Sequence, residues 1–463
     1  MQTVDIKHLY LDTEIHPEDP EVWTRFARGF KYLIFSRFDP VLKKSFEKCL
    51  KQPIGNLQDL ERAGVSLLKH HVQFDLNDEL LLGLLKQVIL TDPELEIRLI
   101  LARRSLLKRA SAGRQVDEFL PFLTALSSQC LLNEYIYSVT TEEESILLSP
   151  SVPDYLRACY ENLEKETLKF PEVPCITPII NSISLKVEAQ YQQHPYPRWT
   201  GLRKSESLPP EQALKDIGLK PRILIAGCGT GQHALQTAFI YPEGEVVAID
   251  LSQKSLQYAS KKALEYGIKN VQFYQADILE LNRWQNSFDL IECVGVLHHM
   301  EDPFKGWKAL RSLLKEKGWM NIGLYSELGR SDIKAAKELI AAGGWQGTDA
   351  DIRKCRFFLL NLPDIDPAKR VTLSFDFYTM PTCRDLLFHV HEKLFSLSVI
   401  QKMIDTLNLK FMGFDFRDKL VLDKYRERYP EDIQGVSLSQ WHVFELEFPF
   451  TFEGMYQFWV KGK

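Results

Sequence analysis

Three closely spaced glycines in the middle of the chain mark the first candidate ligand site. Gly227, Gly229 and Gly231 follow a short apolar run, residues 223–226, and precede residues 232–240, which have the pattern of a helix. Glycine adopts positive φ without strain and lets a ligand approach the backbone closely. The N-terminus of the following helix directs free N–H groups and a partial positive charge at that ligand, which favours an anionic group. The spacing therefore predicts a strand, a ligand-binding turn and a helix.

Two aspartates close the next two apolar runs. Asp250 follows residues 246–249, and Asp277 ends the stretch NVQFYQAD. An acid at the end of the second strand of such a unit can accept hydrogen bonds from both hydroxyls of a ribose. An acid at the end of the third strand lies where an adenine amino group would need an acceptor. The two aspartates therefore predict a nucleoside site.

Two adjacent histidines, His298 and His299, follow a fourth apolar run at residues 289–294. Because the unperturbed pKa of histidine is near 6.5, either side chain could act as a general base close to neutral pH. The alternative is that both rings pack in the loop or orient its backbone. Glu292, inside the run, is expected to be buried and structural.

The segment HPYPRW at residues 194–199 combines aromatic, cationic and rigid residues just before the first of these strands. Its two prolines exclude a helix and favour an extended path. We expect this segment to cross the ligand pocket, where Tyr196, Arg198 and Trp199 would contact the ligand or its reaction partner. The alternative is that it fixes the helical region to the sheet.

A parallel sheet is the element that would position these residues. Five short apolar runs alternate with helical stretches beyond residue 220, which is the pattern of βαβ units in an α/β fold. Ligands of such sheets bind at the carboxyl ends of the strands, where the glycines, aspartates and histidines all fall. The first 150 or so residues have helical periodicity instead, which predicts an all-helical N-terminal domain.

A dinucleotide site is the first alternative reading of the glycine turn. Residues 229–234 satisfy G-x-G-x-x-A, and an acid follows about 20 residues later. The glycine register argues against it, since it begins at Gly227 directly after the strand, and so does the second acid, Asp277. An NAD(P)-dependent oxidoreductase remains an alternative.

The order of these motifs resembles that of class I S-adenosylmethionine (SAM) dependent methyltransferases. The matching stretches are IAGCGTG, AIDLS, QADI, FDLIECVGVLHHMEDP and LLKEKGWMNIGLYS. The stretches QYQQHPYPRW, DLLFHVHEKLFS and FEGMYQFWVKGK further resemble bacterial methyltransferases that often carry an N-terminal tetratricopeptide-like helical region. The resemblance implies a Rossmann-like sheet of seven strands in the order 3-2-1-4-5-7-6, with only strand seven antiparallel.

The resemblance also implies a role for each matching residue. The three glycines would hold the methionine end of SAM, and Asp250 would hold the ribose hydroxyls. Leu251 and Ile278 would cover the two faces of the adenine, while Asp277 would accept from its amino group.

One position departs from the family pattern. Ala226 stands where many relatives have an acid. The methionine amino group would then need another acceptor, and the backbone at Cys293 and Val294 is the candidate.

The domain boundary is expected at a proline-rich stretch, residues 170–180. This gives a helical domain at 1–170 and a methyltransferase domain at 171–463. A helical insertion at about 327–390 would lie between the fifth and sixth strands, and insertions at this place usually line the acceptor site in the family.

The resemblance predicts an enzyme that transfers a methyl group from SAM to an unidentified acceptor. A protein or peptide acceptor is favoured because the helical domain offers a docking surface, and a small metabolite is possible. The fourth strand is not followed by an Asn/Asp-Pro-Pro-aromatic motif, which disfavours methylation of amino groups on DNA bases. The other alternative is a SAM-binding regulatory protein without catalysis.

Composition narrows the partners and the compartment. The 463 residues carry a formal charge of −5, so a broad nucleic-acid surface is not expected. There is no apolar run of about 20 residues and no signal pattern, which predicts no membrane association. The eight cysteines form no CxxC and no zinc spacing, so a cytoplasmic protein without a metal site is expected.

Overall fold

The computed structural model describes the chain except for residues 1–11, 53, 55–56, 71–74, 163–171, 198, 200, 203–208, 282–283 and 417–418. The chain forms two compact units. The first contains residues up to Glu166 together with Ala336–Phe388, and the second contains Thr167–Ala335 together with His389–Lys463. No helix among the described residues is long and apolar enough to cross a membrane.

The first unit is helical, as the periodicity of its sequence predicts. Several helices begin at an Asp-Pro pair, because aspartate caps the free N–H groups and proline suits the first turn. Asp39, for example, accepts hydrogen bonds from the amides of Val41 and Leu42. The α-helices described before residue 167 include Pro20–Gly29, Pro40–Leu50, Glu61–Lys69, Glu79–Gln87, Pro93–Ser111, Leu120–Leu132, Thr141–Leu147 and Asp154–Arg157.

The segment between the fifth and sixth strands groups largely with this helical unit, whereas the sequence had placed it in the methyltransferase domain. It contains the helices Asp349–Leu360 and Met380–Phe388. Arg356 makes two hydrogen bonds of 2.9 Å to the carboxylate of Glu96, and both side chains are buried. Burial alone would lower the pKa of Arg356, but Glu96 outweighs it and raises that pKa. The insertion and the N-terminal helices therefore share one charged, hydrogen-bonded core.

The second unit contains a seven-stranded sheet in the order β3-β2-β1-β4-β5-β7-β6. The strands are β1 Arg222–Ala226, β2 Glu245–Asp250, β3 Val271–Gln275, β4 Phe288–Val294, β5 Leu314–Leu324, β6 Leu409–Phe414 and β7 Tyr456–Gly462. β7 is antiparallel to both of its neighbours, and the other pairs are parallel. The predicted Rossmann-like fold class and strand order are thus confirmed. β5 is the longest of the seven strands, with 11 residues from Leu314 to Leu324.

Helices cover both faces of this sheet. Three of them follow strands directly: α1 (Gln232–Ile240) after β1, α2 (Gln253–Glu265) after β2, and α3 (Pro303–Leu313) after β4. The other α-helices described in this unit are Ser182–Gln193, Glu211–Ile217, Leu397–Thr406, Lys419–Arg428 and Leu438–Glu447, and Ser331–Ala342 spans the boundary between the units.

Alternate residues of the strands fill two cores. Leu224 and Ala226 belong to one apolar cluster, while Ile223 and Ile225 belong to the other. This is the pattern expected of a strand buried on both faces.

The proline-rich stretch before the sheet pairs with its edge strand. Cys175 forms a parallel bridge with Gln275, and the amide of Ile176 donates to the carbonyl of Gln275 at 3.0 Å. The amide of Gln275 also donates to the carbonyl of Pro174 at 3.0 Å, so the last residue of β3 is paired on its outer side. The inner side of β3 pairs with β2.

Replacing Arg356 by methionine should destabilise the first unit. The change leaves the Glu96 carboxylate buried without its partner, and such a loss costs on the order of 3–5 kcal/mol. Arg98→Met is the matched control, because the pair of Arg98 with Glu94 on the same helix is exposed and contributes less than about 1 kcal/mol. The measurement is urea unfolding of the full chain, with hydrogen exchange localising the loss to residues 93–111.

The double variant Glu96→Leu/Arg356→Met completes this test. It removes both charges, so it should regain most of the lost stability. A double variant that is as unstable as Arg356→Met would contradict the buried-charge explanation.

Candidate functional site

The three glycines form the turn between β1 and α1, and each has positive φ. The angles are +76° at Gly227, +51° at Gly229 and +86° at Gly231. A Cβ on Gly227 would lie 2.3 Å from a methyl of Val296, and one on Gly231 would lie 2.4 Å from the Cβ of Ala259. Packing within the protein thus requires glycine at these positions in addition to any ligand.

Asp250, at the end of β2, holds this turn in place. Its carboxylate accepts the amide hydrogens of Gly229 at 2.8 Å and Ser252 at 2.9 Å. Burial raises the pKa of Asp250, and the backbone hydrogen bonds oppose that shift. A carboxylate has about four acceptor positions, so two bonds leave capacity for two further donors. Ser252 then caps α2 through its hydroxyl, which accepts the amide hydrogen of Ser255.

Asp277 lies two residues beyond β3 and is almost fully buried, with 2% of its surface exposed. Its Oδ1 accepts from the amide of Leu279, and its own amide donates to Oγ1 of Thr177 at 2.8 Å. Its Oδ2 has no hydrogen-bond partner. A buried carboxylate oxygen without a donor is costly, so this atom is a candidate acceptor for a ligand group.

The apolar residues of the predicted site lie on the same edge of the sheet. Ile278 is buried, while Leu251 is partly buried and its carbonyl accepts from the side chain of Gln275 at 2.9 Å. Cys293 is buried near the end of β4, where burial raises the pKa of its thiol. Val294 is the last residue of that strand and is partly buried.

The HPYPRW segment lies against the glycine turn. The carbonyl oxygen of Tyr196 is 2.7 Å from the Cβ position of Gly229, and the hydroxyl of Thr230 donates to the carbonyl of Pro197. The indole N–H of Trp199 donates to the carbonyl of Thr230 at 3.1 Å. Arg198 lies outside the described residues. The segment therefore fastens the turn, and its role toward a ligand stays a prediction.

His298 is fully buried beyond β4, and neither ring nitrogen makes a hydrogen bond of good geometry. Its ring stacks on Tyr325 with a centroid separation of 3.7 Å. Burial lowers the pKa of His298 well below its ordinary value, and the nearby His299, Arg330 and His389 lower it further. These surroundings favour the neutral ring over the protonated one.

His299 is oriented by a segment that comes much later in the chain. Its Nδ1 lies 2.9 Å from the carbonyl of His391, so this nitrogen carries the hydrogen in the neutral ring. Its ring stacks on His389 with the centroids 3.7 Å apart. The helix before these residues ends at Phe388, so His389 and His391 lie in a non-helical segment that bends at Val390.

Further residues extend this histidine cluster. Nε2 of His389 lies 3.2 Å from the hydroxyl of Tyr191, and the guanidinium of Arg330 lies 3.6 Å above the ring of Tyr325 and pairs with Glu392. Sequence reasoning missed Tyr191, Tyr325, Arg330 and Glu392. Tyr191, Tyr325 and Glu392 lie inside the matched stretches, and Arg330 follows one of them, so their place in those stretches was the available signal.

Comparison with known proteins identifies the class of this domain. Residues 220–352 match a family model described as a methyltransferase domain. An uncharacterised protein of Synechococcus sp. is 32% identical over 243 residues, which are 49% of this chain and 56% of that protein. The ubiquinone biosynthesis O-methyltransferase of Bordetella avium is 34% identical over 111 residues, 24% of this chain and 44% of the enzyme. The chain thus spans about half the length of the curated relatives it matches.

A solved structure with a similar fold is PKMT2 from Rickettsia typhi in complex with AdoHcy. It is 19% identical, with a TM-score of 0.43, and the similarity covers 58% of this chain and 54% of PKMT2.

The sheet order and the domain match together define a class I, SAM-dependent methyltransferase domain. The resident cofactor of this class is SAM. The site fits that cofactor: the unpartnered Oδ2 of Asp277 suits an amino donor, and Asp250 keeps acceptor positions for two hydroxyls.

Replacing Gly231 by alanine should destabilise the second unit more than the same change at Gly267. Both glycines have positive φ, which costs alanine about 1–2 kcal/mol. Only at Gly231 would the new methyl overlap Ala259, since nothing lies within 4 Å at Gly267. We expect Gly231→Ala to lose a further 1–3 kcal/mol or so. Urea unfolding of the two variants measures the difference, and equal losses would refute the packing argument.

Proposed function

We propose that this protein is a methyltransferase that moves the methyl group of SAM to a nucleophile on a protein or peptide. The buried, unpartnered Oδ2 of Asp277 is the observation that carries the cofactor part of the proposal. It lies at the same edge of the sheet as Asp250 and the glycine turn, as the site of an adenosine requires.

Each residue at this edge has a task in holding the cofactor. Asp277 accepts from the adenine amino group, and Asp250 accepts from the ribose hydroxyls while it also holds the turn. Leu251 and Ile278 cover the adenine. The glycine turn faces the methionine end, and the backbone at Cys293 and Val294 supplies an acceptor for the amino group because Ala226 carries no acid.

The cofactor supplies an activated methyl group on a sulfonium, so little chemistry is left for the protein. The protein must align the acceptor about 3 Å from the methyl carbon, exclude water and, for some acceptors, remove a proton. His298 is a candidate base because its ring is neutral and keeps both nitrogens free of good hydrogen bonds. His299 is the second candidate, since Nδ1 is committed to a carbonyl and Nε2 is its acceptor atom.

The choice of a protein or peptide as the methyl acceptor rests on the helical unit. The helical unit offers a surface large enough to dock a protein or peptide, which favours a macromolecular acceptor over a small metabolite. The ubiquinone biosynthesis O-methyltransferases match only about a quarter of this chain, so their name does not assign a substrate here. We place the enzyme in the cytoplasm, because all eight cysteines are free thiols, although seven of them are buried in the folded chain.

Asp277→Asn should weaken AdoHcy binding without unfolding the protein. The amide keeps Oδ1 for the Leu279 cap but replaces the free acceptor by an N–H donor that faces the adenine amino group. Loss of a hydrogen bond to a charged group costs about 1.5–3 kcal/mol, which is roughly a 10- to 150-fold weaker affinity. Isothermal titration calorimetry measures it. Asp39→Asn is the control, since Asp39 caps a helix of the first unit.

Unchanged AdoHcy affinity in Asp277→Asn would remove the adenine role of this residue. If the wild-type chain binds NADH but neither SAM nor AdoHcy, the oxidoreductase alternative replaces the proposal.

Transfer of label from methyl-labelled SAM to cell extract tests catalysis and the acceptor class together. Label in the protein fraction supports the proposal, whereas label only in small molecules assigns a metabolite acceptor. Binding of AdoHcy with no transfer under any condition would favour the regulatory alternative.

Variants of the two histidines locate the base once an acceptor is found. His298→Asn and His299→Asn are compared, and the variant that removes the base should lower kcat by roughly 100-fold or more while AdoHcy affinity is retained. If His298 is the base, the rate should stay level as pH falls through 6.5, because the depressed pKa keeps the ring unprotonated there. Full kcat in both variants would show that the reaction needs neither ring.

A further inference from the structure

A cavity outside the candidate cofactor site lies in the second unit, between α1, the sheet and Asp415, the residue that follows β6. It has a volume of about 50 Å³. Its walls include His233 and Thr237 of α1, Glu292 of β4, Asn321 of β5 and Trp459 of β7. None of the residues assigned to the cofactor lines it. A single water needs a cavity volume of about 10–15 Å³, so this cavity has room for a few waters or for the head group of a small ligand.

The register of the sheet brings the polar residues of this cavity together. Glu292 is paired with Asn321 across β4 and β5, and Asn321 is paired with Trp459 across β5 and β7. Residues that are directly paired in neighbouring strands lie on the same face of a sheet. An acid, an amide and an indole are therefore adjacent on a face whose other members, such as Leu290 and Trp319, are apolar.

The acid of this cavity is ionised and held in place. Oε2 of Glu292 accepts the hydroxyl of Thr237 at 2.7 Å and lies 3.2 Å from Nε2 of His233. Burial would raise the pKa of Glu292, but His233 and Thr237 outweigh it and lower that pKa. Burial would likewise lower the pKa of His233, but Glu292 and Asp415 raise it.

Two polar atoms in the walls have no partner within the protein. Oδ1 of Asn321 and the hydroxyl of Tyr241 make no hydrogen bond, although the two residues are only 3% and 5% exposed. Both residues line the cavity. Buried polar atoms without partners are rare in folded proteins, and Oδ1 of Asn321 can only accept.

The charges give the cavity a negative balance. Glu292 and Asp415 contribute two negative charges, and His233 contributes at most one positive charge. The unpartnered amide oxygen adds a further acceptor. Trp459 supplies an aromatic wall, which attracts organic cations. The occupant must therefore donate hydrogen bonds, carry positive charge and be small at its head.

We propose that this cavity binds the protonated amine of a small organic cation, with Glu292, Asn321 and Asp415 as acceptors. A primary ammonium has three N–H donors for these acceptors. A divalent metal ion fits less well, because Nε2 of His233 is already engaged with Glu292 and cannot ligate a metal. The proposal concerns a site separate from the methyl-transfer site and does not depend on it.

The site is tested by titrating the full chain, labelled with fluorotryptophan, with n-butylammonium chloride at constant ionic strength. The probe signal is the ¹⁹F resonance of Trp459, which is assigned with Trp459→Phe. We expect a saturable shift with n-butylammonium and none with n-butanol, which has the same chain without charge. Tetramethylammonium has no N–H donors and can use only the ring of Trp459, so it should shift the resonance only at a higher concentration than n-butylammonium.

Two variants and a matched control complete the experiment. Glu292→Gln keeps the shape and the Thr237 contact but removes the charge, and Asn321→Leu removes the free acceptor. Each should weaken n-butylammonium binding at least about tenfold. Glu243→Gln, at an exposed loop acid, should not change it. AdoHcy titration and the dispersion of the other tryptophan resonances report whether each variant is folded.

The outcomes separate the possible occupants. No saturable shift with n-butylammonium, or an equal shift with n-butanol, overturns the proposal. A shift by Mg²⁺ at lower concentration than by the amine would replace it with a metal site. Failure of methyl transfer in any acceptor assay leaves this result unaffected, since the readout is amine binding alone.

Discussion

The hydrogen bonds accepted by the carboxylate of Asp250 hold together the segments at the carboxyl edge of the sheet. By accepting the amides of Gly229 and Ser252, it joins the turn after β1 to the start of α2. The hydroxyl of Ser252 in turn donates to the carbonyl of Tyr191 at 3.0 Å. This hydrogen bond attaches the helix Ser182–Gln193 to the start of α2. One acid thus fixes the glycine turn, a helix start and the entry to the HPYPRW segment before any cofactor binds.

Local sequence patterns predicted most of the strands, because a buried strand needs a short run of apolar residues and a turn residue at its end. Short apolar runs ending in glycine or aspartate gave β1, β2 and β4 to within a residue or two, and α1 at its observed bounds. The strand order came from the resemblance to a family, since periodicity alone does not order strands. The site was predictable to the same degree, because parallel strands bring residues at their carboxyl ends to one edge.

The sequence did not predict contacts between residues that lie far apart in the chain. The stacking of His299 on His389 joins residues 90 positions apart, and no local pattern reports it. The same holds for the packing that requires Gly227 and Gly231, where the opposing groups are Val296 and Ala259. The sequence predicted a structural role for Glu292 but not the cavity beside it. Oδ1 of Asn321 and the hydroxyl of Tyr241 line that cavity without hydrogen-bond partners, and only the folded sheet and helix bring them to Glu292.

The division of the helical unit between two stretches of chain has a consequence for synthesis on the ribosome. Arg356 follows its partner Glu96 by 260 residues. At about 5–20 residues per second, the ribosome needs roughly 10–50 s to make that stretch. During this time the helix Pro93–Ser111 has left the ribosome, but Glu96 does not yet have its partner Arg356. The unit whose synthesis begins first therefore cannot complete its core until residue 356 has been made.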